Sequence, residues 1–153
     1  MGELLGVTLV SVVAVLLATA LFYECLCFLS RFVSGTVRNH RVLMLAMVSG
    51  IFIAHAGAIL IYAVFYWALT HYAGFADLSG NVEDHFLTYL YFSITSYSSL
   101  GIGDVFPVGS LRFLSGVEAI NGLILITWSA AFTYFIVQKM WYADDKENKG
   151  DNL

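Results

Sequence analysis

The stretch Ser99-Leu100-Gly101-Ile102-Gly103-Asp104 is where this sequence most directly suggests chemistry. Glycine adopts positive φ without steric penalty, so Gly101 and Gly103 on either side of Ile102 let the segment 98–103 turn successive carbonyls toward one axis. Four chains around that axis would stack rings of oxygens, and such rings can replace the hydration shell of a monovalent cation. Ions would then bind at Ser99, Leu100, Gly101 and Ile102, with Gly103 closing the segment and the Ser99 hydroxyl adding an oxygen of its own. Because the backbone supplies this chemistry, neither a catalytic side chain nor a cofactor is expected. Asp104, with Asp77, Glu83 and Asp84, would make the outer mouth acidic and attractive to cations.

Backbone oxygens held this way need a scaffold that excludes water, and the composition provides one. The chain is 59% hydrophobic and only 12% charged, a balance that belongs in a membrane rather than on a soluble surface. Three apolar stretches, 4–29, 42–69 and 111–140, each exceed the roughly 20 residues needed to cross the hydrocarbon core as a helix. A secretory signal is disfavoured for the first, because no basic residue precedes it and the apolar run is too long. Between the second and third, Asn81 or Asp84 can cap a helix over 86–97. At 1.5 Å per residue that helix is about 18 Å long, enough to enter a bilayer but not to cross it. Its C-terminal, partially negative end would point at the axis and favour a cation there.

Orientation follows from the seven basic residues. Arg31, Arg38 and Arg41 join the first two spans, and Lys139, Lys146 and Lys149 follow the third, so the positive-inside rule makes that side cytoplasmic. The N-terminus and the connection 70–110 are then outside, with Arg112 as the exception. The expected organisation is an extra N-terminal span (1–30), a cytoplasmic loop (31–41), a pore domain (42–141) and a short cytoplasmic tail (142–153). Within the pore domain lie an outer helix (42–69), an extracellular loop (70–85), a pore helix (86–97), the filter (98–104) and an inner helix (110–141).

The run Tyr91-Phe92-Ser93-Ile94-Thr95-Ser96-Tyr97-Ser98-Ser99-Leu100-Gly101-Ile102-Gly103-Asp104-Val105-Phe106-Pro107 resembles the pore helix, filter and outer mouth of potassium channels, whose filter reads T-V-G-Y-G-D. The resemblance extends over about 42–138 and includes Arg112 and Gly122, similar to an outer arginine and the hinge glycine of the family's inner helix. It implies a homotetramer with K+ as the permeant ion. Ser99 stands where the family usually has Thr, keeping the hydroxyl and losing the methyl. Ile102 replaces the usual Tyr or Phe, and Tyr91-Phe92 replace an aromatic pair commonly containing Trp, so the cuff supporting the filter is expected to be mainly apolar. The extra first span also departs from most two-span relatives.

Several residues admit two readings. Leu123, Thr127, Ala130, Tyr134 and Gln138 recur at helical spacing and read as the pore-lining face, with Tyr134 either packing or acting as a gate. Gly122 permits a bend or close packing beneath the short helix. Glu118, an ionisable group two turns into a span, reads as a hydrogen-bonding brace behind the filter, ahead of an ion site. His55, mid-way along the second span, is either bonded to another helix or a proton switch, and His71 and His85 lie outside. Arg112 has an acidic group of the mouth or a neighbouring subunit as its expected partner, and Glu24 has Arg31 or Arg38. Ala46, Gly50, Ala54 and Ala58 line small side chains along one face for a helix contact. Tyr66, Trp67 and Tyr72, and Trp141 with Tyr142, fit interfacial belts or ordinary packing, and Cys25 and Cys27 read as packing residues.

The expected fold is therefore an all-α membrane protein with three transmembrane helices, a re-entrant pore helix and an extended filter, assembled as a tetramer around a central pore. The arginines lie in a loop rather than at three-residue spacing within a span, which excludes a voltage-sensing helix. The basic residues form no nucleic-acid patch. No nucleophile and base are placed together, which argues against an enzyme. The partners are the bilayer, copies of the chain and an unidentified regulatory protein, and the plasma membrane is the expected location. A weakly selective cation channel and a non-conducting assembly subunit remain as alternatives.

Overall fold

Runs rich in Leu, Val, Ala and Ile with no internal proline form long helices, and here they form three. The computed structural model describes residues 2–36, 40–73, 78–83 and 85–150. Arg38, Asp77 and Asp84 lie outside the described residues, as do the side chains of Trp141, Tyr142, Lys146 and Lys149. Helix α1 spans Gly2–Thr36, α2 His40–Ala68, α3 Phe86–Tyr97 and α4 Leu111–Gly150. Leu5–Arg31, Arg41–Tyr72 and Leu111–Lys139 are long and apolar enough to cross a membrane.

Helix boundaries differ from the sequence reading at both cytoplasm-assigned ends. α1 continues through Ser30–Thr36, into the expected 31–41 loop, and α4 continues through 142–150, the expected tail. Neither stretch contains proline, and Lys146 and Glu147 are good helix formers, so nothing stops the helix where the apolar run ends. After α2 the chain makes one π-helical turn, Leu69–Ala73. Two short strands were not expected: β1 (Leu78–Gly80) pairs antiparallel with β2 (Val105–Pro107), Ser79 opposite Phe106.

The first span packs against its own chain. Along α1, Val7, Ser11, Ala14, Ala18, Phe22 and Leu26 are buried at three- and four-residue spacing, forming one seam. Ala54 and Ala58 on α2 are buried, and Gly50 of the same small-residue face lies under the Leu29 side chain of α1. The small face thus lets the first two helices approach closely. α3 is tucked between α2 and α4, burying Tyr89, Phe92, Ser93, Thr95, Ser96 and Tyr97.

Candidate functional site: the carbonyl filter and its braces

The candidate filter segment begins where α3 runs out of helical partners. The Ser98 amide and hydroxyl both bond to the Ile94 carbonyl (3.1 and 2.7 Å). The Ser99 amide reaches Ser96 O at 2.9 Å, and the Leu100 and Gly101 amides share Thr95 O at 2.9 and 3.2 Å. The donors of 98–101 are thereby drawn back onto the helix end, which satisfies carbonyls that would otherwise be unpaired.

Beyond that point φ is positive at Ser99 (57°), Gly101 (54°) and Gly103 (87°), every second residue. A β-strand turns successive carbonyls to opposite faces, whereas alternation in the sign of φ brings them toward one side. The glycines hold this conformation without penalty. Ser99 does not: a non-glycine residue with positive φ costs of order 1–3 kcal/mol and persists only where its surroundings impose it. The sequence reading assigned positive φ to the glycines alone. The candidate filter residues Ser99–Gly103 and Asp104 are exposed in the single chain, including the side chains of Leu100 and Ile102.

Asp104 is held from three directions. The Tyr91 hydroxyl lies 2.9 and 3.1 Å from its carboxylate oxygens, the Val105 amide donates to Oδ1 at 2.9 Å, and the Asn81 amide donates to its carbonyl at 2.9 Å. The hydrogen bond to Asp104 raises the Tyr91 pKa above its ordinary value, so the phenol stays a donor at neutral pH. A mouth cavity of about 220 Å³ is lined by Asn81, Glu83, Leu87, Thr88, Tyr91 and Asp104. Asn81 is not the cap of α3. That position is His85, which makes no side-chain capping bond, and the Asn81 amide donates to the Asp104 carbonyl instead. Arg112 donates from Nε to the Pro107 carbonyl at 3.2 Å.

Ile102, whose cuff was expected to be mainly apolar, is exposed in the single chain, and a polar network joins α3 to α2 and α4. Glu118 is fully buried. Its Oε2 accepts from the Tyr66 hydroxyl at 2.5 Å, and its Oε1 lies 2.6 Å from the Ser93 hydroxyl. One carboxyl therefore joins α4 to α2 and α3. Ser93 also lies 2.9 Å from Ile59 O, and Ser96 donates to Ser115 O at 3.1 Å. Asn121 donates to the Tyr62 hydroxyl at 3.0 Å and accepts from Thr19 of α1 at 3.3 Å. His55 has Tyr97 Oη 2.8 Å from Nδ1 and Ser129 Oγ 3.2 Å from Nε2. Tyr66, expected in the outer aromatic belt, is instead fully buried against Glu118. Asn121 could have been found in the sequence, since it sits one turn after Glu118 on the same face; the hydroxyl partners carried no such signal.

Gly122 lies against the Tyr97 carbonyl so closely that any Cβ would collide with it. This is the close-packing reading, and α4 is continuous through the position. Around α4, Glu118, Asn121, Leu125 and Ser129 fall within about 80° of arc at 100° per residue and are buried. Leu123, Thr127, Ala130, Tyr134 and Gln138 centre roughly 160° from Glu118 and are exposed in the single chain. The two faces are opposite. Cys25 and Cys27 are free, and among the described residues no cluster of His, Cys, Asp or Glu could hold a metal ion.

A re-entrant helix ending in a carbonyl-presenting segment, set between two spanning helices, defines a membrane pore protein. An ion-channel family model, of the two-span potassium-channel type, matches residues 42–139, more than half of the chain, and the chain belongs to that family. It is a multi-pass integral membrane protein with an ion-channel domain, and the family's role is transport rather than enzymatic catalysis. In comparisons with curated proteins and with solved structures, nothing matched the chain significantly.

Proposed function

We propose that the chain forms a homotetrameric, potassium-selective channel through which K+ moves passively. The observation that carries this reading is the alternating positive φ at Ser99, Gly101 and Gly103 on an exposed segment directly after a buried short helix. In a fourfold arrangement, the carbonyls of Ser99, Leu100, Gly101 and Ile102 would stack as oxygen rings for dehydrated K+. Gly103 would end the filter and Asp104 would hold its outer end. Leu123, Thr127, Ala130, Tyr134 and Gln138 would line the passage below, narrowing at Tyr134, and Gly122 would be the position at which α4 could bend. The exposed stripe opposite the braced face supports that assignment.

The distribution of basic residues supports an orientation with the N-terminus outside and the C-terminus in the cytoplasm, and we place the chain in the plasma membrane. Labelling of terminal tags on intact cells checks it: an N-terminal tag hidden from external antibody would overturn it.

The decisive experiment is K+ flux in liposomes carrying the purified chain, with Gly101→Ala and Gly103→Ala as controls. Alanine at positive φ is strained by about 1–2 kcal/mol per residue in each of four subunits, so both variants should lose flux. A purified chain that passes no K+ would instead favour a non-conducting assembly subunit. Within channels, a weakly selective cation pore is favoured by Ser99 and Ile102, which leave the filter without the family's Thr methyl and ring hydroxyl. Reversal potentials in mixed K+ and Na+ separate the two.

A further inference from the structure

Tyr97, the last residue of α3, is gripped by α4 at both ends. Its carbonyl rests on Gly122, and its hydroxyl reaches His55, whose other nitrogen reaches Ser129. Gly122 and Ser129 are seven residues apart, two turns along one face of α4 and about 10.5 Å along its axis. The Tyr97 side chain thus bridges two turns of the inner helix, and one residue, Ser98, separates it from Ser99.

The proton inventory shows how the far end is held. The Ser129 hydroxyl donates to the Ile126 carbonyl at 2.8 Å, which uses its single proton, so Ser129 Oγ accepts from His55 Nε2. His55 Nδ1 is then the acceptor of a neutral ring, and the Tyr97 hydroxyl donates to it. Each group has one role and no rotational alternative that keeps every bond. Phe22 of α1 packs on the imidazole, ring centres 4.8 Å apart, so all four long and short helices meet at this residue.

We propose that His55 is a positioning residue for ion selection: it ties the residue preceding the filter to the inner helix, so that the two move together. Tyr97 is the lever, Gly122 its bearing and Ser129 its anchor. The first helix, through Phe22, backs the imidazole and fixes its tilt. The proposal rests on reading 98–104 as an ion filter.

The test uses the full chain in liposomes as wild type, His55→Phe, His55→Gln, Tyr97→Phe and the His55→Phe/Tyr97→Phe double variant. His55→Phe keeps a ring and removes both bonds, whereas Gln restores one donor and one acceptor. The K+/Na+ permeability ratio is expected to fall about tenfold in His55→Phe and Tyr97→Phe alike, no further in the double variant, and to stay within about twofold of wild type in His55→Gln. Amide hydrogen exchange of 98–104 is expected to quicken by about tenfold in His55→Phe, with α2 unchanged. His55→Phe with both selectivity and filter exchange within about twofold of wild type overturns the proposal. Should the wild type pass K+ and Na+ alike, the filter reading fails, and the exchange measurement still decides the tie. If His55→Phe does not fold, Tyr97→Phe, which deletes a single oxygen, carries the same two readouts.

Discussion

Replacing Glu118 with alanine tests the brace behind the filter. The carboxyl is fully buried and joins Tyr66 at 2.5 Å with Ser93 at 2.6 Å. Each lost hydrogen bond contributes about 0.5–1.5 kcal/mol net, and a buried hydroxyl left without a partner costs about 1–3 kcal/mol more. Ser93 keeps the Ile59 carbonyl at 2.9 Å, so only Tyr66 carries that second penalty. The sum is about 2–6 kcal/mol per subunit, and α3 loses its tie to α4 at the same time. Glu118→Gln keeps the volume and one acceptor and should cost about 1 kcal/mol. Detergent or thermal unfolding of the purified protein measures both, with K+ flux as the functional readout, expected lost in Glu118→Ala and kept in Glu118→Gln. Tyr66→Phe completes a double-mutant cycle in which the double variant is less damaged than the sum of the singles by at least about 1 kcal/mol. A Glu118→Ala protein within about 0.5 kcal/mol of wild type, or an additive cycle, would refute the reasoning.

Three further outcomes are expected. Gly122→Ala forces a methyl against the Tyr97 carbonyl and should destabilise by about 1–3 kcal/mol, whereas Gly116→Ala, with open space around it, should be neutral or gain up to about 1 kcal/mol, both read by thermal unfolding. Tyr91→Phe removes one of the three ties on Asp104 and should shorten channel openings in single-channel recordings; unchanged open times would count against the clamp. Because Tyr91 titrates above the ordinary value of 10.0, its bond to Asp104 is complete at neutral pH and is lost only as pH rises through the raised pKa, so external alkalinisation should affect wild type and leave Tyr91→Phe insensitive. Tyr134→Ala should raise the closed-state leak of K+ flux if the inner narrowing is a gate.

Composition and spacing alone determined the class of this protein. Three apolar runs longer than a bilayer, a short helix between two of them and Gly-x-Gly-Asp at its end leave few physical solutions, because backbone carbonyls at membrane depth must be satisfied or line a passage. Glu118 was legible as a brace for the same reason, since a charged group inside a span is costly enough to need a partner. Its partners, and those of His55, were not legible. Tyr66, Ser93, Tyr97 and Ser129 are ordinary polar residues in helices, and which hydroxyl meets which acceptor depends on helix crossings and rotations that no local pattern encodes. The antiparallel β1–β2 pair, beside which Asn81 bonds to Asp104, joins three-residue strands too short to leave a periodicity. The left-handed Ser99 was equally invisible, because its conformation is imposed by amides folding back onto Thr95 and Ser96 rather than by its own type. Hydrophobicity and glycine spacing act locally and survive in one dimension, whereas the polar network around α3 exists only where four helices meet.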